Sequence, residues 1–219
     1  PRIVETPFGL LNSIGLQNPG IETVIKEYLP KLEEFSTNKI INIAGFSIEE
    51  FGELAKRLDG NEYIQGIEVN ISCPNVKDGG ILFGMDPSLS YKVINRVSKN
   101  TSLPVIAKLS PNAPDLKVIT RACIDGGADA ISLINTIPGI AIDIYTRKPI
   151  LGNNTGGLSG PAIKPIALLK VHEAYLIAKE YNIPILGMGG IICAEDILEF
   201  IICGAKAIAL GTMIFVYHK

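Results

Sequence analysis

Short apolar runs recur along the chain at 39–44, 66–72, 105–110, 130–136, 183–187 and 207–211, each of strand length and rich in Ile, Val, Leu and Ala. Between them lie amphipathic stretches at 47–58, 88–99, 115–125, 161–181 and 194–203, each long enough for a crossover helix. Alternating units of this kind predict a parallel sheet covered by helices. Asp115, after Pro114, reads as a first-turn acid. Gly126-Gly127 and Gly204 are expected to close helices at positive φ.

Three stretches depart from the rhythm. Residues 140–158 read as an excursion, with 142–145 and 149–151 flanking the turn-like Thr146-Arg147-Lys148 in a short hairpin over the carboxyl face of the sheet. Residues 1–19 hold a polar turn at 12–18 and resemble a loop leaving an earlier strand, followed by a helix around 20–35. After Gly211-Thr212 only seven residues remain, too few for the helix that would complete the last unit.

Within 66–72 the alternation sends Ile67, Val69 and Ile71 to one side and Glu68, Asn70 and Ser72 to the other. The strand then delivers Cys73 between Asn70 and Asn75, and Pro74 stops the ladder. A lone free cysteine is commonly a small buried hydrophobe. Two flanking amides shift the balance, because Asn suits a strand poorly and its polar atoms need partners. Lys108, inside an apolar run, needs an anionic partner or an edge position. With Asn42 in the first run and Asn135-Thr136 ending the fourth, these groups together imply a lined pocket. The last two runs end in Gly187-Met-Gly-Gly190 and Gly211-Thr212. Tight turns explain either as readily as phosphate does, but repetition at consecutive strand ends favours a phosphate site. In eight-stranded barrels that site follows strands 7 and 8, so the count closes at eight if two strands precede those legible here.

At 219 residues and 47% apolar, the chain fits a single domain over 1–219. A net charge of -2 gives no basic field for nucleic acid or an anionic membrane. Four cysteines without a CxxC pair suit a reducing cytoplasm, and none has metal-ligand spacing. His172 and His218 are given no role. Mean hydropathy is high, at +0.31, and 197–217 carries only Glu199 and Lys206 as charges. Cys203-Gly204-Ala205 nevertheless divides that stretch into a helix end and a short strand rather than a membrane span. The opening residues show no signal-peptide pattern.

NSIGLQN at 12–18, VNISCPN at 69–75, AKLSPN at 107–112, the block from Asn135 to Pro165, GMGG at 187–190 and ALGT at 209–212 together resemble class 1 dihydroorotate dehydrogenase, an FMN-dependent (β/α)8 TIM barrel of pyrimidine biosynthesis. The resemblance covers nearly the whole chain. The long block is most similar to class 1B, which pairs with an iron-sulfur flavoprotein subunit and passes electrons to NAD; a cysteine at 73 supports class 1.

The resemblance implies Cys73 as the base that removes a proton from C5 of dihydroorotate while C6 delivers hydride to the flavin, and Lys108 at the flavin's pyrimidine edge. It implies substrate contacts at Asn12, Ser13, Ile14, Gly15, Leu16, Asn70, Asn135 and Thr136, with Asn75 assisting. FMN would meet Asn42, Asn70, Ile134 and Gly160, with Gly189, Gly190, Gly211 and Thr212 around its phosphate. No metal is implied; FAD and the iron-sulfur cluster belong to the partner subunit, and the catalytic subunit is expected to be a cytoplasmic homodimer. Family members begin with two more barrel strands and end with a further helix, so the chain is expected to be an internal fragment of impaired activity. Alternatives are the fumarate-linked class 1A enzyme, a dihydropyrimidine dehydrogenase-like barrel, and a noncatalytic phosphate-binding barrel remnant.

Overall fold

The computed structural model describes residues 1–72 and 83–216. In chain order its strands are β1 (Ile3–Thr6), β2 (Gly9–Asn12), β3 (Ile40–Ile43), β4 (Gly66–Asn70), β5 (Val105–Lys108), β6 (Ala130–Leu133), β7 (Ile137–Ile140), β8 (Ile142–Asp143), β9 (Lys148–Pro149), β10 (Thr155–Ser159), β11 (Ile185–Met188) and β12 (Ala207–Ala209). The α-helices are α1 (Ile21–Thr23), α2 (Ile48–Leu58), α3 (Pro87–Ser98), α4 (Leu116–Asp125), α5 (Lys164–Ala178), α6 (Ala194–Ile202) and α7 (Thr212–Val216). The helix expected around 20–35 is irregular: α1 continues as a π-helical segment, Val24–Tyr28, and a 3-10 turn, Leu29–Leu32.

Strands β3, β4, β5, β6, β11 and β12 form one parallel sheet in that order. The order never reverses, which is barrel winding and not the doubly wound arrangement. Consecutive helices α2, α3, α4 and α5 pack on one another in a layer. The fold is thus α/β, with six of the eight strands of a (β/α)8 barrel and with β3 and β12 at its edges.

Period-two alternation sorts the two faces of this sheet. Ile67, Val69, Ile71, Val105, Ala107, Leu109, Ile131 and Leu133 are buried in the apolar core with helix residues such as Phe51, Ile94, Ile119 and Val171. The opposite face carries Asn42, Glu68, Asn70, Lys108 and Ser132. The helices start where side chains cap them: Ser47 accepts from the Glu50 amide, Asp86 from Leu89, and Asp115 from Lys117 and Val118. Asp115 is therefore the cap itself. Gly127 and Gly204 have the expected positive φ, whereas Gly126 is right-handed at -72° and forms the last helical turn.

Two regions differ from expectation. Residues 1–12 are a β-hairpin, not a loop: β1 pairs with β2, and β2 pairs with β10 and β10 with β7 in a four-stranded antiparallel sheet. Asn12 stands opposite Gly157, so the pairing joins segments 145 residues apart, and four-residue strands leave little local signature. The excursion does contain the expected hairpin, β8 with β9, although its ladder is only Ile142–Asp143 with Lys148–Pro149. A helix, α7, also follows Gly211 where none was expected, five residues long.

Candidate active site

All six parallel strands point their carboxyl ends the same way, and the antiparallel sheet lies against them there. Gly157 makes that contact possible, since a Cβ on it would come within 2.1 Å of Thr136 Oγ1. Beyond β10, Ala162 N–H donates to the Phe8 carbonyl, fastening the hairpin to the start of the α5 segment.

On the inner face, Lys108 lies on β5, in the middle of the sheet and not at an edge. Its anionic partner is Glu68 on β4, with Nζ 3.7 Å from Oε2. The same carboxylate accepts from Asn42 Nδ2 and from Ser132 Oγ, each at 2.6 Å. Side chains from β3, β5 and β6 thus converge on Glu68 of β4. Asn70 stands in register with Lys108 one strand away.

At the strand ends a second network runs sideways. Ser72 Oγ donates to Asn70 Oδ1 at 3.1 Å and accepts from Asn135 Nδ2 at 2.9 Å, while Asn135 Oδ1 accepts the Thr136 amide at 2.7 Å. These bonds explain why β4 and β6 end at Asn70 and Leu133, earlier than the apolar runs: the next residues turn their polar groups to one another. Asn70 uses its oxygen on Ser72, and among the described residues its amide hydrogens make no side-chain hydrogen bond.

The glycine end adjoins this network. A Cβ on Gly189 would sit 3.3 Å from Ile134, and one on Gly190 would sit 2.8 Å from the Gly160 carbonyl. All three glycines have positive φ, so Gly160 and the loop after β11 can approach only without side chains. Ser159 accepts a hydrogen bond of 2.7 Å from Thr212 Oγ1, which brings the loop after β12 to the same place. Among the described residues, the amides of Gly189, Gly190 and Gly211 take no part in the turn and loop hydrogen bonds, and such donors suit a phosphate. Gly211 differs from the others in having open space around it.

An ion-pair cluster braces this end. Asp196 accepts from Lys164 Nζ at 2.6 Å and from the amides of Ile192 and Cys193, and Glu199 reaches the same lysine at 2.8 Å. The Lys164 ammonium, helped by those amides, holds the Asp196 carboxyl down at about 2 from its ordinary 3.8, and Asp196 with Glu199 pushes Lys164 up. A depressed carboxylate stabilises the fold above its ordinary pKa, and that contribution disappears as pH falls from 3.8 toward 2. Asp196→Asn is expected to cost about 2 kcal/mol at neutral pH. The difference from the parent should shrink below pH 4 in denaturant unfolding followed across a pH series.

Of the other expected site residues, Asn12 closes β2 and donates from Nδ2 to the Gly157 carbonyl at 3.3 Å, and Ser13 is buried with no hydrogen-bond partner for its Oγ among the described residues. Ile14, Gly15 and Leu16 form the turn that follows, with Ile14 exposed. Cys73 and Asn75 lie outside the described residues, as does His218; His172 is exposed on α5. Among the described residues no His, Cys, Asp and Glu cluster could hold a metal ion, and no helix is long and apolar enough to cross a membrane. Sequence reasoning missed Ser132 and Ser159 and gave Glu68 and Ser72 no role. A carboxylate two residues before Asn70, facing the same side, was the available signal for Glu68.

Polar side chains on the inner face and at the carboxyl ends of a barrel-wound parallel sheet are the arrangement of an α/β-barrel enzyme. The family model described as dihydroorotate dehydrogenase matches residues 1–218, and the chain belongs to that family. It is 55% identical over 215 residues to the dihydroorotate dehydrogenase B (NAD(+)) catalytic subunit of Geobacter sp. (strain M21), covering 98% of this chain and 70% of that protein. The subunits of the same name from Desulforamulus reducens and Thermoanaerobacter pseudethanolicus are each 54% identical over 216 residues, covering 99% of this chain and 70% of each relative.

Proposed function

We propose that the chain is the catalytic portion of an NAD-linked dihydroorotate dehydrogenase, oxidising dihydroorotate to orotate in pyrimidine biosynthesis with FMN as its cofactor. The observation that carries this reading is the continuous path from the glycine end, through Ile134, Asn135 and Ser72, to Asn70 and Lys108. It suits a ligand with a phosphate at one end and a planar polar ring at the other. The buried Ser13 Oγ and the loop amides, without hydrogen-bond partners among the described residues, fit such a group.

FMN would supply the acceptor for the hydride that leaves C6 of dihydroorotate. Gly160, Gly189, Gly190, Gly211 and Thr212 would hold the phosphate, with Ile134 and Asn42 against the cofactor. Asn70 and Lys108 would meet the ring. Asn12, Ser13, Ile14, Gly15, Leu16, Asn135 and Thr136, with Asn75, would orient the substrate. Cys73, as thiolate, would take the C5 proton, so that loss of that proton and of the hydride leaves the C5–C6 double bond of orotate. The subunit would work in the cytoplasm as a homodimer, handing electrons to a partner subunit that carries FAD and an iron-sulfur cluster.

The test is anaerobic mixing of the FMN-loaded protein with dihydroorotate, with dihydrouracil as control. Dihydroorotate is expected to bleach the flavin absorbance and dihydrouracil to leave it unchanged. Bleaching by dihydrouracil alone would assign the chain to dihydropyrimidine chemistry, and bleaching by neither would refute the enzyme reading.

A further inference from the structure

Glu68 has no task in the reading above, yet side chains from three other strands converge on it. Oε1 accepts from Ser132 Oγ on β6, and Oε2 accepts from Asn42 Nδ2 on β3 while facing Lys108 Nζ on β5. Its side chain is 12% exposed and that of Lys108 is 20% exposed. A carboxylate so far removed from water is costly unless its surroundings offset the loss of solvation, and here two hydrogen bonds and a cation do so. At 3.7 Å the ammonium is paired in charge but beyond hydrogen-bond distance, so its donors are not spent on Glu68.

We infer that Glu68 is a positioning residue that anchors Lys108 and offsets its charge, thereby setting how readily the ring bound beside Lys108 accepts hydride. The inference rests on the flavin reading given above. In the step concerned, the C6–H bond of dihydroorotate breaks, two electrons and that hydrogen pass to the ring, and the C5 proton leaves to Cys73. A ring that gains hydride gains negative charge. Lys108 stabilises that charge and Glu68 opposes it, so the pair as a whole keeps the reduced ring from being stabilised so far that electrons cannot leave again.

The direct test is the midpoint potential of bound FMN, measured by equilibrium titration against a reference dye. Glu68→Gln preserves shape and removes the negative charge. It is expected to raise the ratio of reduced to oxidised flavin at a fixed potential at least tenfold, about 30 mV for a two-electron couple. Glu68→Asp, which keeps the charge, should stay within about threefold of the parent. A Glu68→Gln midpoint unchanged within threefold, or moved downward, overturns the proposal, as does a folded Glu68→Gln protein that no longer retains FMN. Should Glu68→Gln fail to fold, Ser132→Ala serves in its place. Withdrawing one donor concentrates the carboxylate's charge and should lower the ratio by more than about threefold, and a midpoint within threefold of the parent there overturns the proposal as well. Failure of the parent protein to bind FMN refutes the flavin reading itself and is seen before any variant is titrated.

Discussion

Replacing Lys108 by methionine is expected to slow flavin reduction by dihydroorotate about 10²–10³-fold, the usual cost of removing one aligned group that stabilises developing charge. Fold and FMN retention should survive. Glu68, left without its cation, still accepts hydrogen bonds from Asn42 and Ser132, so the substitution does not strand a buried carboxylate without partners. Methionine matches the length of the lysine stem and packs the same channel in the middle of the sheet. Rapid mixing of dihydroorotate with the FMN-loaded variant separates the two effects, because the bound flavin spectrum reports binding and its decay reports chemistry. A decay within threefold of the parent would remove Lys108 from the reaction.

Cys73→Ala is expected to lose about 10²–10⁴ of the same rate, the range for a general base, while dihydroorotate and orotate binding stay within a few fold. Ser72, the residue before it, is 1% exposed and fixed by Asn70 and Asn135. The sign of the pH dependence follows from the chemistry: the thiolate is the active form, so the parent rate should climb as pH rises through the thiol pKa and then level off. In Cys73→Ala that climb should be absent. A variant retaining a parental rate and pH profile would show that the proton leaves to another group. The contrast with Cys123 is instructive, since burial pushes that thiol up to about 12 and suits it only for packing.

Local pattern revealed most of the parallel sheet because each interior strand is buried on its helix-facing side, and burial leaves a period-two apolar trace in Ile67, Val69 and Ile71 or Val105, Ala107 and Leu109. The caps Ser47, Asp86 and Asp115 lie within three residues of the amides they serve, a local signal that the sequence reading used only for Asp115, and there as a first-turn acid. The hairpin β1–β2 was not legible. Its strands are four residues long, and its neighbour β10 contains Gly156 and Gly157, which carry no strand propensity and are required instead by the close approach of Asn12 and Thr136. Glu68 was placed on the polar side of its strand but not matched to Lys108, because that pairing depends on the cross-strand register.

The sequence by itself determined the unit of construction, the apolar side of each strand, the need of Lys108 for an anionic partner or an edge position, and the family to which the motifs point. These follow from burial, spacing and local chemistry, which are properties of short stretches of chain. Tertiary structure alone decided that the anion is Glu68, that Asn70, Ser72 and Asn135 share hydrogen bonds, and that Gly160 meets Gly190 while Ser159 meets Thr212. Each joins residues tens of positions apart or more, except the bond from Ser72 to Asn70. Strand register sets those distances, and register is fixed by packing across the whole sheet, not by any segment within it.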